Sequence, residues 1–169
     1  MEYIIGLVII VAIIGVWLVM SYKGFRTLRN SVEECYATMD IFLKKRLDLI
    51  PKLLKAAQKQ EGVGEDILEE IRKVRATIKE AIDTGDRMEN ENILSEVLNE
   101  LFSIRENYPE IKVNSNFLDI QNQIKRVEED IASSGRFYNA IAKLMNTKVV
   151  SFPSNWVAKL FHFNMVPMF

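Results

Sequence analysis

The sequence predicts an all-α protein: a single N-terminal transmembrane helix followed by an up-down antiparallel four-helix bundle. Three observations carry this expectation. Residues 4–20, IIGLVIIVAIIGVWLVM, contain no charge. Beyond them, apolar residues recur at three- and four-residue steps with no β-like alternation. Turn signals at Gly62-Val63-Gly64, Thr84-Gly85-Asp86, Tyr108-Pro109 and Phe152-Pro153-Ser154 divide the remainder into four long stretches and a tail. The expected organisation is an anchor over residues 1–22, a bundle over 23–151 and an aromatic tail over 152–169.

The anchor comes first. From Tyr3 to Tyr22, twenty residues make a helix about 30 Å long, the thickness of a bilayer core. Twelve residues of 4–20 are Ile, Leu or Val. At about −0.3 to −0.6 kcal/mol each, they favour insertion by about 4 to 7 kcal/mol. A cleaved signal peptide fits poorly, because no basic side chain precedes the run and no A-x-A site follows it. Lys23, Arg26 and Arg29 follow the span while only Glu2 precedes it. The positive-inside rule then expects a single pass through the cell membrane, with the N-terminus outside and the C-terminal domain in the cytoplasm. One unpaired cysteine, Cys35, suits a reducing compartment.

Helix 1 is expected to continue to about residue 61 along Phe25, Leu28, Val32, Cys35, Met39, Phe42, Arg46, Leu49, Leu53 and Ala56, with a kink at Pro51. Helix 2, about 65–83, carries Ile67, Leu68, Ile71, Val74, Ile78 and Ile82. Helix 3, about 88–107, carries Leu94, Val97, Leu98, Leu101 and Phe102. Helix 4 starts near Ser115, with Asn114 or Ser115 as cap, and runs a coiled-coil-like stripe from Phe117 through Ile120, Ile124, Val127, Ile131, Ser134, Tyr138 and Ile141 to Met145. Short links make neighbouring helices antiparallel.

Composition removes several classes of function. Lys and Arg total 22 against 23 Asp and Glu, a net charge of −1, so no nucleic-acid partner is expected. A single Cys and a single His leave no disulfide framework, zinc cluster or Ser-His or Cys-His pair. No catalytic residue, metal or cofactor is expected, and the chain reads as a non-enzyme.

Polar groups on the apolar stripes are the candidates for a special role. Arg46 occupies the helix-1 stripe, 16 residues below the distal loop; the same depth lies near residue 130 on helix 4 and 80 on helix 2. Glu128 or Glu80 is therefore its expected partner, in an ion pair that fixes register more surely than it adds stability. By the same count Tyr138 and Asn139 face Met39 and Asp40, so a hydrogen bond to Asp40 is expected. Asp40, Arg46, Glu128, Tyr138 and Asn139 thus form a polar seam. Helices 1 and 4 are the longer pair, so they extend below helices 2 and 3 as a two-helix stalk whose apolar residues need cover. Trp156, Leu160 and Phe161 of the tail are the expected cover, with self-association second. The same aromatics can instead reach the bilayer interface.

Several segments resemble the LemA family: LRN at 28–30, MDIFLKKRLDLIPKLL at 39–54, ENYPEIKVNSNF at 106–117, FYN at 137–139 and FPSNWVAKLF at 152–161. The resemblance extends from about Tyr22 to Phe163. It implies a cytoplasmic four-helix bundle behind one N-terminal span, no established enzymatic activity, and company with membrane metalloproteases of the stress-response type. One departure stands out: the family usually reads Ala-Arg before the Tyr-Asn pair, whereas this chain has Ser134-Gly135 and places Arg136 one residue later. That shift turns a helical side chain by about 100 degrees.

The expected function is a non-catalytic interaction scaffold or accessory of a membrane quality-control or envelope-stress system. Its partners would be the lipid bilayer, an unidentified membrane protein and possible further copies in a homo-oligomer. The alternative is a ligand-binding sensory bundle that uses the polar seam around Arg46 and Tyr138.

Overall fold

A computed structural model describes residues 1–59, 63–107 and 114–169. Five helices follow in order: α1 (Glu2–Ala57), α2 (Glu65–Glu80), α3 (Thr84–Asn107), α4 (Ser115–Val150) and α5 (Ser154–Leu160), with no strand among the described residues. The expected break at Tyr108-Pro109 and Gly62 lie outside the described residues, whereas helix 1 ends at Ala57, about one turn before the expected residue 61.

Local chemistry explains where the elements start and stop. Asn114 caps α4, its side chain accepting from the Asn116 N–H at 2.9 Å. The break between α2 and α3 falls earlier than its glycine suggests. The Asp83 carboxylate accepts from the backbone N–H of Gly85 at 2.6 Å and of Asp86 at 3.4 Å, so α3 begins at Thr84 and takes Gly85 into its first turn. A side-chain cap satisfies donors that would otherwise be orphaned, and it outweighs one poor helix former. In α1 the helix carries through Pro51. Proline supplies no N–H to the Leu47 carbonyl four residues back. Arg75 of α2 supplies the missing donor, its Nε lying 3.2 Å from that oxygen.

α4 lies antiparallel along α1: Arg46 meets Glu128 near one end of the contact and Phe25 meets Lys148 near the other. α3 runs parallel to α1, pairing Arg87 with Asp40 and Glu91 with Arg46. α2 packs on α3, and side chains of all four long helices, among them Ile50, Leu53, Leu68, Ile71, Leu94, Leu98 and Ile124, enter one buried cluster. The N-terminal part of α1 stands outside that cluster as far as Val16, and Trp17 and Leu18 lean on its edge. It is long and apolar enough to cross a membrane, and none of its most apolar stretch is buried within the protein.

Helix lengths leave a gap, and the tail fills it. α1 beyond Tyr22 and α4 each run about 54 Å, while α2 and α3 reach only about 24 and 36 Å. In the lower half, neither α2 nor α3 flanks α1 and α4 among the described residues. α5 turns back beneath them, and the chain after it leaves α5 through His162 in the left-handed region (φ 57°) and ascends between α1 and α4. Phe163 stacks on Phe25 at 4.8 Å, Val166 pairs with Asn146, and Phe169 lies over Gly135 close to Met39. Six steps of extended chain from Phe163 to Phe169 cover about 20 Å, and fourteen helical steps from Phe25 to Met39 cover about 21 Å. At the top Pro167 comes close to Gly85, where α3 begins. An extended strap therefore takes the place that α2 and α3 are too short to occupy.

The residues expected to provide this cover are not the ones that do. Trp156 and Leu160 are 68% and 65% exposed, and Phe161 only leans on Tyr22. Val157, Ala158, Phe163, Val166 and Phe169 pack against the core instead. The Trp156 stripe sits on the outer face of α5, because Val157 and Ala158 take the inner one. Gly135 is buried beneath Phe169: a Cβ there would come within 2.8 Å of the ring. Arg136 beside it faces outward.

Candidate functional site

Two polar clusters sit on the α1–α4 seam. The first is built around Arg46, whose side chain is fully buried. It reaches this position because residue 46 continues the apolar stripe of α1 between Phe42 and Leu49, so its stem fills a core slot and its guanidinium must find partners inside. Nη2 donates to the Glu91 carboxylate at 2.5 Å and to the Glu91 backbone carbonyl at 2.9 Å. Nη1 donates to Glu128 at 2.5 Å and to the Ser95 hydroxyl, which itself bonds Glu128 at 3.2 Å. Arg46 therefore ties α1 to α3 and α4 at once. Nε of Arg46 is buried without a hydrogen-bond partner among the described residues.

One turn and a half lower, Arg87 of α3 pairs with Asp40 at 2.6 Å and approaches Glu91 at 3.7 Å. Lys44 closes on the other oxygen of Asp40 at 2.6 Å from the solvent side. The inner cluster holds the guanidinium groups of Arg46 and Arg87 and the carboxylates of Asp40, Glu91 and Glu128, one carboxylate in excess. Glu91 is the fully buried acid of the three. Burial raises its carboxyl above the ordinary value, and the Arg46 guanidinium offsets this only in part.

That direction sets a pH dependence. A carboxyl held above its unfolded value binds its proton more tightly in the folded state. Its stabilising contribution is full below the unfolded pKa, about 4.5, and is lost as pH rises through the folded one. Glu91→Gln keeps the shape and removes the excess carboxylate. The wild-type melting temperature should fall on going from mildly acidic to neutral pH by more than that of Glu91→Gln, measured by circular dichroism in detergent. Parallel pH profiles for the two proteins would show that Glu91 is ionised throughout.

The second cluster grips the strap. Asn139 and Asn146 are seven residues apart, two turns on the same face of α4. Asn146 donates to the Val166 carbonyl at 2.9 Å and accepts from its N–H at 2.8 Å. Asn139 does the same to Phe169, at 2.6 and 2.8 Å. Two helical turns advance about 10.5 Å and three extended residues about 10 Å, so each side-chain amide meets a backbone amide as a neighbouring strand would. The Tyr138 hydroxyl donates to the Pro167 carbonyl at 2.6 Å between them. Burial raises its pKa, as it does that of Tyr36, whose ring lies 6.0 Å away.

The five residues singled out from sequence thus divide. Asp40, Arg46 and Glu128 join the first cluster; Tyr138 and Asn139 belong to the second. The expected hydrogen bond from Tyr138 or Asn139 to Asp40 does not form, because Arg87 and the strap claim the two sides first. Glu80 does not appear among the partners of Arg46, and Glu91 takes that place. Glu91, Ser95, Arg87 and Asn146 escaped the sequence reading. Glu91 lies three residues before Leu94 on the α3 stripe, an acid at a core position matching the base at Arg46. Asn139 and Asn146 share a heptad position facing the extended part of the tail beyond α5.

Chemically, Arg46, Glu91 and Tyr138 are internal, while Arg87 and Lys44 reach a surface groove. The groove beside α2 is lined by Lys44, Leu47, Asp48, Ile78, Lys79 and Arg87, and that beside α4 by Cys35, Thr38, Phe42, Asp130, Ser134 and Phe137. Neither groove includes Arg46, Tyr138 or Asn139.

The LemA family model matches residues 35–169. Among curated proteins, Protein LemA of Metamycoplasma hominis is 22% identical over 132 residues, which is 78% of this chain and 60% of that protein. The chain spans about 60% of the length of the curated relative it matches.

Proposed function

The chain belongs to the LemA family, and from that premise we propose that it is a membrane-anchored four-helix bundle acting as a non-catalytic scaffold or accessory of a membrane protein machine. The apolar segment of α1 is its single span, and the bundle faces the cytoplasm. The observation that carries the scaffold reading is the closure of the polar seam. Both terminal nitrogens of Arg46 are engaged by Glu91, Glu128 and Ser95, while Tyr138 and Asn139 are occupied by the chain's own strap. A sensory bundle would need those groups to be free for a ligand. Apolar side chains point outward instead: Ile41, Phe137 and Leu144 are exposed on α1 and α4, with Phe137 at the edge of the Cys35–Phe42 groove. Exposed aromatics beside a groove are the raw material of an interface. Its partner is proposed to be a membrane protein of the quality-control or envelope-stress type.

Two measurements test this. In a Cys35→Ala background, Asp86→Cys should resist a membrane-impermeant thiol reagent in intact cells and react after permeabilisation; labelling of intact cells reverses the orientation. A photoreactive amino acid at Phe137 should give a discrete protein adduct in native membranes. Absence of any protein adduct there, together with stabilisation by a small molecule that requires Arg46, would replace the scaffold by the sensory reading.

A further inference from the structure

The charge balance of the whole chain conceals a strong separation along its length. Residues 3–32 and 131–169 together carry seven Lys and Arg and no Asp or Glu, whereas residues 33–130 carry 15 basic and 22 acidic side chains. The fold brings the two basic segments side by side, since α5 and the strap pack against the start of α1. Phe161 lies 4.7 Å from Tyr22, Phe163 lies 4.8 Å from Phe25, and Lys148 sits over the Phe25 ring. This is the level at which the uncharged segment ends. Arg29 is engaged by Glu33, but Lys23, Arg26 and Lys159 are exposed and form no ion pair among the described residues.

The same level carries an apolar stripe with nothing on it. Phe152, Trp156 and Leu160 recur at four-residue steps and are 77%, 68% and 65% exposed, with Phe152 and Trp156 in edge contact at 6.0 Å. Tryptophan beside lysine and arginine at the end of an apolar span suits the headgroup layer, where the ring is half solvated and the cations meet phosphate.

We propose that α5 and the first turns of α1 after the span form an interfacial collar, in which Phe152, Trp156 and Leu160 enter the headgroup boundary and Lys23, Arg26 and Lys159 bind anionic phospholipid. The collar rests on the reading of α1 as a membrane span. It is continuous with that span through Tyr22, and the acid that shares its groove, Glu33, is engaged by Arg29. By holding α5 at the surface, it seats the strap and so couples the lower half of the bundle to the lipid beneath.

The two tryptophans, Trp17 and Trp156, separate this proposal from the reading under it. The full chain is reconstituted into vesicles of phosphatidylcholine with phosphatidylglycerol, one of the two brominated on its acyl chains. Trp156→Phe leaves Trp17 to report the span, and Trp17→Phe leaves Trp156 to report the collar. Trp156 should be quenched, about twofold more by brominated phosphatidylglycerol than by the same mole fraction of brominated phosphatidylcholine. Lys23→Gln/Arg26→Gln/Lys159→Gln should erase that preference while leaving Trp17 quenching unchanged. If Trp17 is quenched while Trp156 is not and remains open to aqueous iodide, the span stands and the collar is overturned. Trp156 shielded from iodide without lipid quenching also overturns it, in favour of a second copy or another protein on α5. Equal quenching by the two lipids overturns the assignment to anionic headgroups. An unquenched Trp17 removes the span itself, and the collar with it.

Discussion

Arg46→Ala should destabilise the helical domain by about 3–5 kcal/mol, the usual cost of removing one partner of a buried ion pair. Two effects add. The stem of Arg46 fills a core slot, so Ala leaves a void. Glu91 then stays buried without its charge partner, and Glu128 and Ser95 each lose the Arg46 donor they share. Arg46→Met removes the charge but refills the slot, so its loss should be smaller. Adding Glu91→Gln to Arg46→Met should recover part of the remainder, because the stranded acid disappears. The same addition to Arg46→Ala recovers only the electrostatic share and leaves the void. Thermal unfolding followed at 222 nm in detergent checks the series. Equal stability of the Ala and Met variants would show that the stem contributes no packing.

Deleting residues 154–169 should be at least as damaging, and visible as aggregation. Val157 is buried, and Phe163, Val166 and Phe169 are partly buried against the core. Full burial of such a side chain contributes about 1.5–3 kcal/mol, so even a part of that from each is a large share of the about 5–15 kcal/mol that separates folded from unfolded domains. The truncation also uncovers Phe25, Met39 and Tyr138 between two helices that bury only a narrow seam by themselves. Asn139→Ala/Asn146→Ala is the finer probe: it keeps the apolar strap and removes its four amide bonds. Size-exclusion chromatography in detergent should show oligomers for the deletion and a monodisperse but less stable double variant. A truncated protein that stays monodisperse and equally stable would remove the strap from the core.

Both predictions rest on features that differ in how they could be reached. Helix identities follow from the spacing of apolar residues, which is a local property: Leu68, Ile71, Val74 and Ile78 define the buried face of α2 with no reference to any partner. The α4 start follows from Asn114, and the candidate span from an uncharged run of bilayer length. Length arithmetic also announced that α1 and α4 would outrun the other two and need cover. Even Arg46 was visible as a charge on an apolar stripe, and depth counting from the loop reached Glu128.

Partner choice was decided elsewhere. Depth counting resolves about a turn, but a guanidinium selects among all carboxylates within reach, and Glu91 became available only once α3 lay parallel to α1. Asp40 was lost to Tyr138 in the same way, since Arg87 arrives from a third helix. The start of α3 depended on Asp83, whose carboxylate outweighed the glycine two residues on. The strap has no periodicity to recognise, because an extended segment bonded by Asn139 and Asn146 borrows its order from α4. The charge separation is the clearest case. By composition the chain is neutral and even-handed, and only the return of residues 131–169 beside residues 3–32 gathers the uncompensated cations at one end. Periodicity, capping and apolar run length are written within a few turns of chain, so the sequence by itself determined the helices and the long apolar N-terminal segment. Which side chains meet depends on distances between segments far apart in sequence, and those the tertiary structure alone decided.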